Sequence, residues 1–254
     1  MRHPVRLVAF DLDDTLAPSK SPLPDEIAAV LLDLLRLRPV CIISGGQFGQ
    51  FESQVIGRLP ASPLLARLHL MPTNGTRYDR YADGAWVTQY SHPLPAAQRD
   101  AALAALEAEA RRLGLWEERT WGPILEDRGS QVTFSALGQE APVAAKQAWD
   151  PDGAKRAALR DAVAPHVPAL DVHAGGSTSI DITARGIDKA YGLGRLSEEL
   201  GVDPADILFV GDRLAPGGND YPVLRLGVQT HAVTGWRDTL EFLRALLPEL
   251  SRHP

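Results

Sequence analysis

The stretch Phe10-Asp11-Leu12-Asp13-Asp14-Thr15-Leu16 crowds three carboxylates and a hydroxyl into five consecutive positions, directly after an apolar run. Folding alone does not ask for this. The run Arg6-Leu7-Val8-Ala9-Phe10 reads as a buried strand of an α/β sheet, and a strand that delivers acids at its carboxyl end puts them where open sheets keep their ligand crevice. Like charges at such spacing repel and raise each other's pKa, so the cluster destabilises the chain unless the acids share a cation. A bound divalent metal is the simplest resolution.

The rest of the chain fits that frame. Pro24-Asp25-Glu26 opens a helix with Ile27, Val30, Leu31, Leu34 and Leu35 on one face. A second strand, Val40 to Ile43, runs into Ser44-Gly45-Gly46, a turn shaped for an anion, with a helix expected from Phe48 to Ile56. A third strand is expected at Leu68 to Met71, followed by a hairpin through Asp83-Gly84 that adds an antiparallel flap. At His92-Pro93-Leu94-Pro95 the character changes. An Ala-rich helix from Ala96 to Leu113, striped by Leu103, Leu106, Ala110 and Leu113, leads into short alternating strands at Ile124–Glu126, Gln131–Phe134, Asp171–His173 and Ser179–Ile182, with a helix started by Asp150-Pro151. The parallel rhythm resumes with helix Lys189 to Leu200, strand Ile207 to Val210 and a closing helix near Asp238 to Leu247. The expected organisation is a mostly parallel α/β core made of residues 1–90 and 187–254, interrupted by an α+β insert over residues 91–186.

Composition removes several function classes. At 254 residues with 44% hydrophobic content, the chain can bury a sizeable core. A formal net charge of −6, with no basic stretch interleaved with aromatics, excludes broad nucleic-acid binding. No apolar run approaches the ~20 residues of a membrane span, and no signal-peptide core precedes the first strand, so the expected location is cytoplasmic. Cys41 is the only cysteine and lies inside Val40-Cys41-Ile42-Ile43, a place for a small hydrophobe. Phe48, Phe51, Trp116, Trp121 and Trp149 are assigned to packing. Nothing in the sequence specifies an oligomeric state.

The second half of a site follows Ile207 to Val210, where Gly211-Asp212 and then Pro216-Gly217-Gly218-Asn219-Asp220 occur. With both strands parallel in one sheet, Asp11, Asp13, Asp212 and Asp220 converge on one edge as an oxygen-rich site for a hard cation such as Mg2+, while zinc lacks its His/Cys ligands. Hydroxyl and backbone donors at Thr15 and Ser44-Gly45, with Lys189 at a helix start, point to phosphoryl chemistry in which a carboxylate acts as nucleophile. Taken singly, an Asp-rich turn is often a helix cap, Ser44-Gly45-Gly46 an ordinary turn, and Lys189 a solvated helix residue. Together they form one chemistry.

These motifs, Asp11-Leu12-Asp13-Asp14-Thr15, Ile43-Ser44-Gly45, Lys189, and Gly211-Asp212 with Asn219-Asp220, resemble those of the haloacid dehalogenase-like phosphatases and phosphomutases. The resemblance implies a Rossmann-like α/β core with a type IIB cap that selects the substrate. It also implies Asp11 as nucleophile and metal ligand, and Asp13 as acid/base with its backbone carbonyl on the metal. Thr15, Ser44, Gly45 and Lys189 hold phosphate, Asp212 is a metal ligand, and Asp220 supports the metal. Within the superfamily the chain looks most like the eukaryotic-type phosphomannomutases, through Pro216 to Asp220, Ile124 to Arg128 and Ser179-Ile180-Asp181. This makes Arg128, Ser179 and Asp181 candidates for substrate binding in the cap, and Lys20 a further one in the core. Two departures favour hydrolysis: Lys20 and Gln139 stand where those mutases carry arginines that help hold a second phosphate. Ser44 also supplies a hydroxyl that those mutases lack. The expected activity is therefore Mg2+-dependent hydrolysis of a small phosphorylated metabolite such as a sugar phosphate. A phosphohexomutase is the alternative, and a non-catalytic phosphate-binding protein the more distant one.

Overall fold

A computed structural model describes residues 3–252. It contains two compact units, one running up to Ser91 and resuming at Asp188, the other covering His92–Ile187. The first unit begins with β1 (Leu7–Phe10), α1 (Asp25–Leu37), β2 (Val40–Ile43), α2 (Phe48–Gln54), β3 (Leu68–Met71), β4 (Arg77–Ala82) and β5 (Ala85–Ser91). The second holds α3 (Ala96–Arg112), β6 (Leu125–Asp127), β7 (Gln131–Ser135), α4 (Val143–Trp149), α5 (Ala154–Val163), β8 (Leu170–Ala174) and β9 (Ser179–Ala184). The chain then completes the first unit with α6 (Lys189–Leu200), β10 (Ile207–Gly211), β11 (Gln229–Ala232) and α7 (Trp236–Arg252).

The first unit is built on a seven-stranded sheet ordered β11-β10-β1-β2-β3-β4-β5. The strands from β11 to β3 pair in parallel, and β4 and β5 pair antiparallel at one end. The hairpin therefore continues the main sheet. β1 is central, with Phe10 aligned to Val210 on one side and to Ile42 on the other. Val8, Phe10, Val40, Ile42, Leu208 and Val210 pack towards α1 and α7, whereas Leu7, Ala9, Cys41, Ile43, Ile207 and Phe209 pack towards Leu193 and Leu196 of α6. Helices cover both faces, which is why these strands read as uninterrupted apolar runs. Cys41 is buried in the second of these layers.

The second unit is a four-stranded antiparallel sheet, order β6-β7-β9-β8. Val132, Phe134, Ile180 and Ile182 face α3 and α5 and form its core. The alternate residues, Gln131, Thr133 and Ser135 opposite Thr183, Asp181 and Ser179, make the other face polar.

Several elements differ from the sequence expectation. α2 ends at Gln54 and a 3-10 turn, Ile56–Arg58, follows. α3 buries Ala102, Ala105, Leu106, Glu109 and Ala110, with Leu103 and Leu113 only partly covered, so the small alanines rather than the leucine stripe set its contact face. α4 was not expected. α5 starts at Ala154, and Asp150 caps it from a distance by accepting from the backbone N–H of Lys155 and Arg156. β11 adds a parallel edge strand whose sequence Gln-Thr-His-Ala carries no apolar run. Trp121 is exposed, whereas Trp149 is buried and donates its indole N–H to Glu117.

Candidate active site

Asp11 follows β1 and Asp212 follows β10, on neighbouring parallel strands, so both emerge from the same sheet edge. The backbone N–H of Asp11 continues the ladder by donating to Val210. Ser44 leaves the adjacent strand β2 at that edge, and its hydroxyl accepts from the Gly46 N–H at 3.1 Å. Lys189 is the first residue of α6. The helix start is pinned by Asp188, which accepts from the Tyr191 N–H at 3.0 Å and takes a two-pronged ion pair from Arg225 at 2.6 and 2.7 Å.

At the centre, Lys189 Nζ lies 2.5 Å from Asp11 Oδ1 and 2.5 Å from Asp220 Oδ1, and all three residues are buried. Asp220 receives a second bond from the Arg213 N–H at 3.0 Å. Both of its oxygens are thereby engaged inside the protein. Oxygen atoms of Asp11, Asp212 and Asp220 all lie within 4.8 Å of one another. Burial pushes the Asp11 carboxyl well above the usual range, against the pull of Lys189, and Asp220 and Asp212 add to the push. Burial also raises Asp212, with Asp220 contributing. Lys189 moves up despite its burial, because Asp11 and Asp220 hold its proton. An all-oxygen group in which burial and mutual repulsion raise Asp11 and Asp212 is suited to a hard divalent cation.

Thr15 is fully buried, and its hydroxyl donates to Asp212 Oδ1 at 3.4 Å. Asp14 adopts φ 60° and its carboxylate accepts from the Ser19 N–H, so it shapes the turn. The Asp13 carboxylate stands outside this group of acids and is bonded to side chains of α2. It accepts from the Lys20 N–H at 2.7 Å, Lys20 Nζ at 2.9 Å, Gln50 Nε2 at 3.0 Å and Gln54 Nε2 at 3.4 Å. Burial would raise its pKa, but the Lys20 charge and these bonds win and hold it below the usual carboxylate value. The Lys20 ammonium is thus spent on Asp13 and on Gln50 Oε1, 2.8 Å away. Gln50, Gln54, Asp188 and Arg225 were not expected at the site. The spacing of Gln50 and Gln54, one helical turn apart, was the signal that two amides share a face.

The remaining candidates belong to the second unit. Asp181 Oδ1 accepts from Thr133 Oγ1 at 2.7 Å and Gln131 Nε2 at 2.9 Å. Ser179 lies on the same strand face, two residues away. Arg128 sits in the turn between β6 and β7 with its guanidinium on Glu126 Oε2 at 2.7 Å. Gln139 donates its amide to Ser135.

A family model for eukaryotic phosphomannomutase matches residues 122–249, half of the 254 residues. The chain belongs to this family. Its membership sets it among the haloacid dehalogenase-like enzymes of phosphoryl transfer. A phosphomannomutase of Saccharomyces cerevisiae is 26% identical over 250 residues, spanning 96% of this chain and 94% of the relative. One of Schizosaccharomyces pombe is 24% identical over 260 residues, spanning 96% and 95%. Solved structures share the fold at lower identity. A Plasmodium falciparum IMP-nucleotidase superposes with a TM-score of 0.68 at 14% identity, covering 96% of this chain and 68% of the other. An Aspergillus fumigatus trehalose-6-phosphate phosphatase gives 0.55 at 16% identity, covering 96% and 93%.

Proposed function

We propose that this member of the phosphomannomutase family is a Mg2+-dependent phosphatase of sugar phosphates or similar small phosphomonoesters. The observation that carries the hydrolytic reading is the commitment of Lys20: its ammonium is bound by Asp13 and Gln50, and Gln139, the other position where the mutases carry arginine, is neutral. Neither presents a fork for a second phosphate, which a mutase must hold while its bisphosphate intermediate turns over.

Asp11 Oδ1 is steadied by Lys189, which leaves Oδ2 to attack phosphorus. The bond from phosphorus to the ester oxygen breaks, and that oxygen takes its proton from Asp13. Water then attacks the aspartyl-phosphate, gives its proton to Asp13, and releases inorganic phosphate and Asp11. Lys189 has three N–H donors and uses two on carboxylates, so the third is available to a phosphoryl oxygen. Thr15, Ser44 and the Gly45 backbone are the proposed remaining phosphate contacts. Asp11 and Asp212, with the Asp13 backbone carbonyl, would hold Mg2+, and Asp220, its oxygens already engaged, would fix Lys189 beside it. When bound, the cation supplies charge that keeps Asp11 ionised and offsets the charge of the transferred group. Arg128, Ser179 and Asp181 are proposed for the sugar part of the substrate on the strength of the family resemblance. A cytoplasmic location accords with the absence, among the described residues, of a helix able to cross a membrane.

The mutase reading has its own support in the whole-length similarity to the fungal phosphomannomutases. One coupled assay separates the two. With a hexose 1-phosphate and Mg2+, the expected result is phosphate release, lost on chelation, that outpaces 6-phosphate formation with or without a hexose bisphosphate. Isomerisation that outpaces release once the bisphosphate is present assigns the chain as a mutase.

A further inference from the structure

The Asp13 carboxylate is held by Lys20, Gln50 and Gln54. Lys20 Nζ, the Gln50 amide and Asp13 Oδ2 close a ring: Lys20 donates to both of the others, at 2.9 Å to Asp13 and 2.8 Å to Gln50, and Gln50 donates to Asp13 at 3.0 Å. The ring fixes which way the Gln50 amide points. Turned over, its oxygen would meet the carboxylate and its NH2 the ammonium. Gln54, one turn further along α2 and 2% exposed, anchors the other carboxylate oxygen while donating to the Ser21 carbonyl at 2.6 Å. Lys20 holds φ 58°, a left-handed backbone that non-glycine residues adopt only when their surroundings enforce it, and this brings both its N–H and its ammonium onto Asp13.

A second observation shows that the place of Gln50 is built into the loop. A Cβ on Gly46 would lie 2.0 Å from Gln50 Oε1 and 2.6 Å from its Cδ. The φ of Gly46 is not left-handed, so a side chain there would act by displacing the Gln50 amide and not by straining the backbone. The glycine after the Ser44 turn, which in sequence reads as an approach for phosphate, is the seat of an amide.

We propose that Gln50, seated on Gly46 and braced by Lys20 and Gln54, is a positioning residue that aims the Asp13 carboxyl for proton transfer. The proposal rests on the reading of Asp13 as the acid/base. Gln50 acts only through its bond to the Asp13 carboxyl, so its effect is felt only where a proton is needed. Expelling a sugar oxygen requires one, whereas expelling nitrophenolate does not.

The test compares formation of the phosphoenzyme in single turnovers from a hexose phosphate and from p-nitrophenyl phosphate, using the full chain with Mg2+. Gln50→Leu is expected to slow the hexose phosphate reaction by ~10- to 100-fold, part of the ~10²–10⁴ that a positioned acid supplies. The p-nitrophenyl phosphate step should change by less than ~3-fold. Gly46→Ala should reproduce that selective loss, and Gly46→Ala with Gln50→Leu should be no worse than the more severe single variant, because both act on one amide. Parallel losses with the two substrates, or none with either, overturn the role of Gln50 while leaving the phosphatase reading intact. A wild-type protein that forms no phosphoenzyme from either substrate overturns the phosphatase reading and this proposal with it.

Discussion

Lys189→Met isolates the electrostatic core of the site. The substitution keeps an unbranched chain of similar length but removes the charge that two buried carboxylates share at 2.5 Å each. Breaking one buried pair by deleting a partner costs ~3–5 kcal/mol. Here Asp11 and Asp220 lose the same partner and face each other, so the upper end, ~5 kcal/mol, is expected near pH 7 in chelator. At ~2–4 °C per kcal/mol for a domain of this size, the melting temperature should fall by ~10–20 °C. The loss has a definite pH dependence. Asp11 is already raised by burial, and without Lys189 it rises further. A carboxylate with a raised folded pKa is penalised while ionised and relieved once protonated, so the gap to wild type should narrow as the pH falls through the further-raised Asp11 titration of the variant. Asp220→Asn added to Lys189→Met should recover at least ~1 kcal/mol, since it removes the unpaired charge. Scanning calorimetry of the four proteins, Asp220→Asn alone included, at two pH values reads all of this. Equal melting temperatures for wild type and Lys189→Met, or a double variant less stable than the single by the full effect of Asp220→Asn, would refute it.

Two other predictions concern the scaffold. His69 is 3% exposed, its Nδ1 is 2.7 Å from the Tyr78 hydroxyl, and burial, aided by Arg80, pushes it down to about 4. The unfolded chain binds a proton at ~6.5 that the folded chain refuses until about pH 4, so stability should decline over that interval by ~3 kcal/mol, with no effect above it; denaturant titrations should show a flattened acid limb in His69→Gln. Gly192 in α6 lies on the 3-10 turn Thr73–Gly75: a Cβ there would be 2.6 Å from the Asn74 carbonyl oxygen and 2.9 Å from Gly75 Cα. Gly192→Ala should lower stability by ~1–3 kcal/mol and, because α6 carries Lys189, reduce kcat as well; unchanged stability and kcat would show that the turn yields freely.

What could be read from the sequence follows from how locally each feature is encoded. β1, β2 and β10 are covered on both faces, and their apolar runs announce them. The meeting of Asp11 with Asp212 was legible because a parallel sheet brings strand ends to one edge, whichever residues lie between them in the chain, and Lys189 joins them from the start of α6. β11 was not, since an edge strand needs no apolar run and Gln229–Ala232 shows none. α4, seven residues after Pro142, has no side-chain cap to mark its start. The partners of Asp13 were hidden for another reason. Lys20 resembles a phosphate ligand by position, and only the fold reveals that α2 turns two glutamines onto the same carboxylate.

In the proposed reaction Asp11 carries the phosphoryl group on the way to water. Intact and peptide mass spectrometry of the enzyme quenched during turnover of a hexose phosphate tests it most directly. One added phosphoryl group, mapped to Asp11, is expected before inorganic phosphate appears, and it should be missing in Asp11→Asn, which should be folded and inactive. Steady phosphate release by Asp11→Asn, or a phosphoryl group mapped to any other residue, would contradict it.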